Sequence, residues 1–380
     1  MLNIYFNRRH ILYIVVIALL FVGIIAGVSI YNSILHTGTE ANAEENIVQP
    51  LYPDESIPLV KYEGPVHHVF FHSLVVYPEL AFDGDYRSEG YDMWMTTVSE
   101  FKAMLPQLKE RGYILYNINE LIEPDPNDPT KIKLKDIYLP EGRIPLVISI
   151  DDVNYYDYML PDGFATRMVL DNNGDIAHLI KTPEGNEIIS READVMPILD
   201  DFVKQNPDFS FKGAKGIVAT TGYAGAFGYR ITDLEGEELV AAQNEVTKIA
   251  NRLKETGWEV ANHSYTHNQY FQNGKLTPAL LESDVTRWKN LIGNYTGQTN
   301  IFISPFGVHM KADHPHFRYL VEQGYNIYCP VERTPRLKLN GDNVVMNRFN
   351  LDGYTMRRHK EYINNTYFNV DEVYDKSRPQ

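Results

Sequence analysis

Three short stretches of this sequence hold side chains whose types and spacing can do chemistry. The first is "PLVISIDDVNYYDYM", Pro145 to Met159, where an apolar run ends in two adjacent acids, Asp151 and Asp152. Successive strand residues face opposite sides, so both carboxylates reach one site only if the chain leaves strand geometry there. Two like charges held close also repel unless a cation or a shared proton lies between them. The second is "GWEVANHSYTHNQY", Gly257 to Tyr270, with His263 and His267 four apart after another short apolar run. That spacing puts both imidazoles on one face if the segment turns helically. Two neutral histidines and one carboxylate are a common zinc set, which makes Asp152, His263 and His267 candidate ligands. The third is "IFISPFGVH", Ile301 to His309. Pro305 fixes the turn, Gly307 permits unusual backbone angles, and the Phe306 amide is placed to serve as an oxyanion donor. Taken singly, each stretch also reads as an ordinary loop: a solvated Asp pair, a capping histidine pair, a plain turn.

The elements around these stretches alternate. Strand patterns at 66–71, 113–118 and 143–150 flank a helix ending at Gly112. Helices over about 192–205, 239–256, 277–292 and 314–323 then alternate with the runs "AKGIVAT", "WEVAN", "NIFIS" and "YNIYCPV", and "NVVMNRF" follows as a last strand. Such alternation predicts a parallel α/β fold, a doubly wound sheet or a barrel, in which chemistry collects at the carboxyl ends of strands. Residues 163–190 interrupt it with two turn signals, "DNNGD" and "PEGN", and read as an inserted β-hairpin region. The acids of "DNNGD" lack the alternate spacing of a calcium loop.

The chain has 380 residues, a formal charge of −15 and a single cysteine, Cys329. The acidity argues against a general nucleic-acid binder, and one cysteine excludes an intrachain disulfide. Cys329 lies in an apolar run and reads as a buried, inert thiol. Residues 11–30 carry no charge, a length that crosses a ~30 Å hydrocarbon core as a helix. Arg8 and Arg9 precede this run and no Lys or Arg follows before Lys61. The charge asymmetry predicts a cytoplasmic segment 1–10, an anchor 11–31, a linker 32–60 and an extracytoplasmic domain over 61–375. The competing reading is a cleaved signal peptide, with "ANA" at 41–43 as its site.

In their order along the chain, the Asp-Asp pair, "EVANHSYTH" and "SPFG" resemble the NodB-homology polysaccharide deacetylases, carbohydrate esterase family four, over roughly residues 64–350. "FFHS" near Phe70 and "VSEFKAMLPQLKERGY" are similar to the opening of that family's anchored, extracytoplasmic branch. The resemblance implies a distorted (β/α) barrel, one divalent metal, usually zinc, and removal of acetyl groups, most often N-acetyl, from an acetylated polysaccharide. It implies Asp151 as catalytic base and Asp152, His263 and His267 as metal ligands. It also implies the Pro305–Phe306–Gly307 turn as the one whose backbone amide stabilises the intermediate. Tyr155, Tyr156, Tyr223 and Tyr229 are candidates to stack on sugar rings, or to pack under loops.

Two positions depart from the family's pattern. The arginine that orients the base falls where Ile303 stands, and no Leu-x-His motif supplies a general acid near the C-terminus; His309 and His359 are the nearest histidines. Beside the deacetylase reading stand two others: a catalytically lapsed glycan-binding module on the same fold, and a metal-dependent amidase for another carbon–nitrogen bond.

Overall fold

Strand His67–Phe71 (β1) pairs in parallel with Ile144–Ile150 (β3), and Tyr113–Leu115 (β2) pairs with the start of that same strand. These coordinates are a computed structural model that describes residues 52–379. The expected anchor and most of the expected linker lie outside the described residues. Among the described residues no helix is long and apolar enough to cross a membrane. Leu59 and Val60, assigned to the linker by their sequence, belong to a strand, Leu59–Tyr62, that pairs antiparallel with Ile137–Pro140.

Ala165–Leu170 (β4), Ile176–Lys181 (β5) and Glu187–Ser190 (β6) form a separate antiparallel sheet. The expected hairpin insert is therefore three strands: "DNNGD" and "PEGN" each close one turn, and the second turn adds a strand. The main sheet then continues in parallel through Ile217–Thr220 (β7), Glu259–Asn262 (β8), Ile301–Ile303 (β9) and Ile327–Cys329 (β10). Leu337–Leu339 (β11) runs antiparallel to Val344–Met346 (β12), which pairs with β10, while Phe349–Asn350 (β13) pairs with β1. Residues 344–350 thus join the two ends of a curled α/β sheet.

Both faces of the sheet are covered, which is why its strands read as continuous apolar runs rather than alternating ones. Val147, Ile217, Ala219, Ile301, Ile303, Ile327, Cys329 and Met346 fill one side. Ile148, Ile150 and Val218 face the other, against the helices. Helix Ser88–Trp94 (α1) was not anticipated. Val98–Glu110 (α2) starts on a capping box between Thr97 and Glu100 and tolerates Pro106 inside. Helices Val195–Gln205 (α3), Gly236–Glu255 (α4), Pro278–Trp288 (α5) and Pro315–Glu322 (α6) lie close to their expected ranges. Gly353–Arg358 (α7) follows β13. Cys329 is buried and unpaired, and burial pushes its thiol up to about 12.

Candidate active site

The carboxyl end of β3 carries the Asp pair. Asp151 still holds strand register, its N–H donating to Phe71 O at 2.8 Å. Ser149 and Asp151 lie on the face that Val147 occupies, so the Asp151 side chain rises at the mouth of the curled sheet. Alternation would send Asp152 away from it. Asp152 instead adopts φ +54°, in the left-handed region, and the chain leaves the strand. The turn is held from behind by Asn154: its Nδ2 donates to Thr221 O (2.5 Å) and Gly225 O (2.8 Å), and its Oδ1 accepts from Thr221 N (2.8 Å). Asp152 Oδ1 accepts from Thr221 Oγ1 at 2.5 Å and from Tyr156 Oη at 2.7 Å, which fixes the carboxylate and leaves Oδ2 for the cleft.

His263 follows β8. Its Nδ1 lies 3.0 Å from Ile303 O. A carbonyl only accepts, so Nδ1 carries the hydrogen and Nε2 presents its lone pair to the cleft. His267 does not reach that face by a helical turn, contrary to expectation. Residues 263–268 form a compact irregular turn with Ser264 and His267 at positive φ. Asp284 on α5 holds this turn together. Buried, it accepts from Tyr265 N (2.8 Å), Thr266 N (2.9 Å), Ser264 Oγ (3.0 Å) and Thr266 Oγ1 (2.6 Å). Its signal was in the sequence: an acid on the apolar stripe of Leu281, Val285 and Trp288.

Asp152, His263 and His267 offer ligand atoms that all lie within 4.8 Å of one another. Burial opposes the Asp152 charge, but His267, His263 and His72 outweigh it and hold the carboxyl far below its usual range. Burial lowers the His267 pKa, against the opposing pull of Asp152. One ionised carboxylate and two imidazoles, one with its tautomer fixed by a carbonyl, are the donor set a divalent cation of the zinc type takes.

Asp151 stands beside this set, with Oδ2 3.7 Å from His263 Nε2. Its Oδ1 accepts from Arg348 Nη1 at 2.6 Å. Arg348 lies between β12 and β13, where the sheet's two ends meet. It is buried over the Phe70 ring, 4.1 Å from its centroid, and also donates from Nε to Cys329 O. Burial works against the Asp151 charge, while Arg348 and then His263 outweigh it, so the carboxyl stays below its usual range. Ile303 is a core residue whose carbonyl serves His263; the arginine that meets Asp151 comes from the segment between β12 and β13. Sequence reasoning missed Arg348.

It also left His72 without a role. His72, after β1, lines the same cleft as Asp151 and Asp152, and its buried Nδ1 has no partner among the described residues. His359 lines the cleft as well, whereas His309 is exposed and contacts Val331 O at 3.0 Å.

The third stretch sits beside the histidines. Phe306 has φ +55°, and its ring lies 4.4 Å from that of His267. As the second residue of a one-turn 3₁₀ helix, its amide has no intrahelical acceptor. Gly307 is obligatory: φ is +66°, and a Cβ would come within 2.4 Å of the Val331 side chain. Pro305 is buried behind it. Of the candidate tyrosines, Tyr223 is half-exposed and stacks on Tyr156, centroids 5.6 Å apart. Tyr155 is 1% exposed and cannot meet a sugar. Its hydroxyl lies 2.7 Å from His178 Nε2 and 2.8 Å from Asp194 Oδ2, in a network under the inserted sheet. Tyr229 is half-buried against Arg167.

Residues 225–325, which include His263, His267 and the Pro305–Gly307 turn, match the family model of the polysaccharide deacetylases. Over those residues the chain matches a polysaccharide deacetylase domain. Solved structures similar to it include a candidate polysaccharide deacetylase from Bacillus anthracis (13% identity, TM-score 0.42, covering 83% of this chain and 69% of that one). A polysaccharide deacetylase from Bacillus cereus is 14% identical, with TM-score 0.41 over 79% of this chain and 70% of that one. IcaB from Ammonifex degensii is 12% identical, with TM-score 0.41 over 79% and 97%. No curated protein matches.

Proposed function

We propose that this protein is a metal-dependent deacetylase that removes acetyl groups, N-acetyl foremost, from a polysaccharide outside the cytoplasm. The observation that carries the reading is the meeting of Asp152, His263 and His267 within 4.8 Å, with Asp151 beside them. Asp152, His263 and His267 would hold the cation, zinc by its preference for this donor set. When bound, a cation of this kind polarises a carbonyl and acidifies water, the chemistry that hydrolysis of an acetamide needs.

The chain's own groups divide the remaining work. Arg348 keeps Asp151 ionised and fixes Oδ1, which leaves Oδ2 facing the ligand set to accept the proton of the attacking water. The Phe306 amide serves as a donor for the oxyanion, a type of contact whose loss costs ~10²–10³ in rate. His72, which follows β1 beside Asp151 and lines the same cleft, is the group to deliver a proton to the departing amine nitrogen. Acetate leaves and a free amine remains on the sugar. The lapsed-module reading rested on two missing groups, the arginine and the acid. Arg348 pairs with Asp151 and His72 lines the same cleft, and this supports catalysis. The uncharged run at 11–30 behind Arg8 and Arg9 supports a membrane-anchored, extracytoplasmic placement near cell-wall glycans.

The test is acetate release from N-acetylglucosamine oligomers by the zinc-loaded protein. Wild type should release acetate, and Asp151→Asn should bind zinc yet release none. Full activity in Asp151→Asn, or zinc binding with no acetate from any glycan, overturns the reading.

A further inference from the structure

The cleft that holds the metal-type donor set has a volume of about 740 Å³ and an aromatic outer wall. Trp94, the last residue of α1, and Tyr354, in α7, line it together. Their ring centroids are 5.5 Å apart with planes at 33°. The sequence has three tryptophans. Trp258 and Trp288 are core residues, with indole N–H groups donating to Asp200 Oδ1 (3.0 Å) and Thr220 O (2.9 Å). Trp94 is 47% exposed. Burial of so large a ring is favourable, so a half-exposed indole in a concave wall is an informative exception.

This wall is built to stay in place. Buried Arg378 donates to Asp92 O and Met95 O, each at 2.7 Å, on both sides of Trp94, and pairs with Glu100 Oε1 at 2.6 Å. Arg357 of α7 pairs with Asp92 at 2.9 Å. Gly353 brings the start of α7 against α1 so closely that a Cβ would lie 2.0 Å from Asp92 O. The two aromatic residues are therefore carried on helices locked to each other, with faces left open to the cleft. A rigid, half-open aromatic face of this kind suits a pyranose ring, whose axial C–H groups make one side apolar. The floor of the cleft, at Asp151 and His263, is where an acetyl group would react, so the outer wall meets a different sugar of the same chain.

We propose that Trp94 and Tyr354 form a stacking subsite for a sugar ring next to the acetylated one, making the protein selective for polymer over single acetylated sugars. The inference rests on the glycan reading above. The test compares kcat/KM for a β-linked N-acetylglucosamine tetramer and for the monomer. Wild type should favour the tetramer by about three- to tenfold, the scale of one good aromatic contact. Trp94→Ala should bring the ratio close to one, and Trp94→Tyr should restore much of it, which separates stacking from general damage. A ratio unchanged in Trp94→Ala overturns the subsite. If wild type releases no acetate at all, the deacetylase reading fails by itself. The subsite is then judged by tryptophan fluorescence, to which Trp94 contributes the solvent-exposed emission. A saturable change on adding tetramer supports it, and an unchanged spectrum overturns it.

Discussion

Arg348 Nη1 lies 2.6 Å from Asp151 Oδ1, across 197 positions of sequence, and both side chains are almost fully buried. A buried pair of this kind is an arrangement more than a source of stability, because desolvation consumes most of the attraction. Its role is to keep a carboxylate charged and aimed where an apolar surrounding would neutralise it.

Removing one partner should therefore be worse than removing both. Arg348→Met leaves Asp151 buried and unpaired, and is expected to cost about 3–5 kcal/mol in chemical denaturation. On the proposed mechanism it should also lower turnover by ~10²-fold or more, since Asp151 is no longer held ionised and oriented. Adding Asp151→Asn to that variant should return much of the stability and none of the activity. A double variant no more stable than Arg348→Met would show that the pair is not the source of the loss.

Metal retention should depend on residues that never touch the metal. Tyr156 and Thr221 donate to the same Asp152 oxygen. Tyr156→Phe or Thr221→Val should weaken zinc binding by about 10–100-fold, measured by competition with a chromophoric chelator. Unchanged affinity in both variants would mean that Asp152 is oriented by the turn alone.

The network under the inserted sheet predicts a hidden pH dependence. Burial raises the Asp194 carboxyl from 3.8 to about 6, and burial with Arg191 lowers His178 from 6.5 to about 3. Between about pH 4 and 6 native Asp194 holds a proton that the unfolded chain has released, so its contribution falls as pH rises. Over the same window the unfolded chain protonates a histidine that the native state keeps neutral, so the His178 contribution rises with pH. Each slope is roughly 1.4 kcal/mol per pH unit, and they oppose. Asp194→Asn keeps a good cap for α3 while deleting one slope. Its unfolding free energy should climb between pH 4 and 6 where wild type is level. Urea titrations at pH 4, 5 and 6 decide this, and a level profile in the variant removes His178 from the account.

Much of the site was legible in the chain because its signals are local. Apolar runs ending in Asp151, His263 and Ser304 mark carboxyl ends of parallel strands, and backbone alternation does the rest. The turn glycine Gly307 and the acid at 284 on an apolar helix stripe were equally readable, although Asp284 was not read. Tyr155 and Tyr156 show the limit of that reasoning. Adjacent and alike, they part company because the backbone after Asp152 leaves the strand, with Tyr155 itself at φ +50°, so one hydroxyl goes to Asp194 and the other to Asp152.

By itself, then, the sequence determined the alternating architecture and the residues at the strand ends. It could do so because hydrophobic period and turn chemistry are set within a few residues. Only the tertiary structure decided which arginine meets Asp151 and which tryptophan walls the cleft. Residues 344–350 pair with β1 at one end and β10 at the other, and that closure carries Arg348 to Asp151. Nothing near Arg348 in the chain encodes the partner, because the contact is made by the sheet meeting itself. Trp94 likewise owes its place to helices α1 and α7, more than 250 residues apart, being clamped together by Arg357 on Asp92.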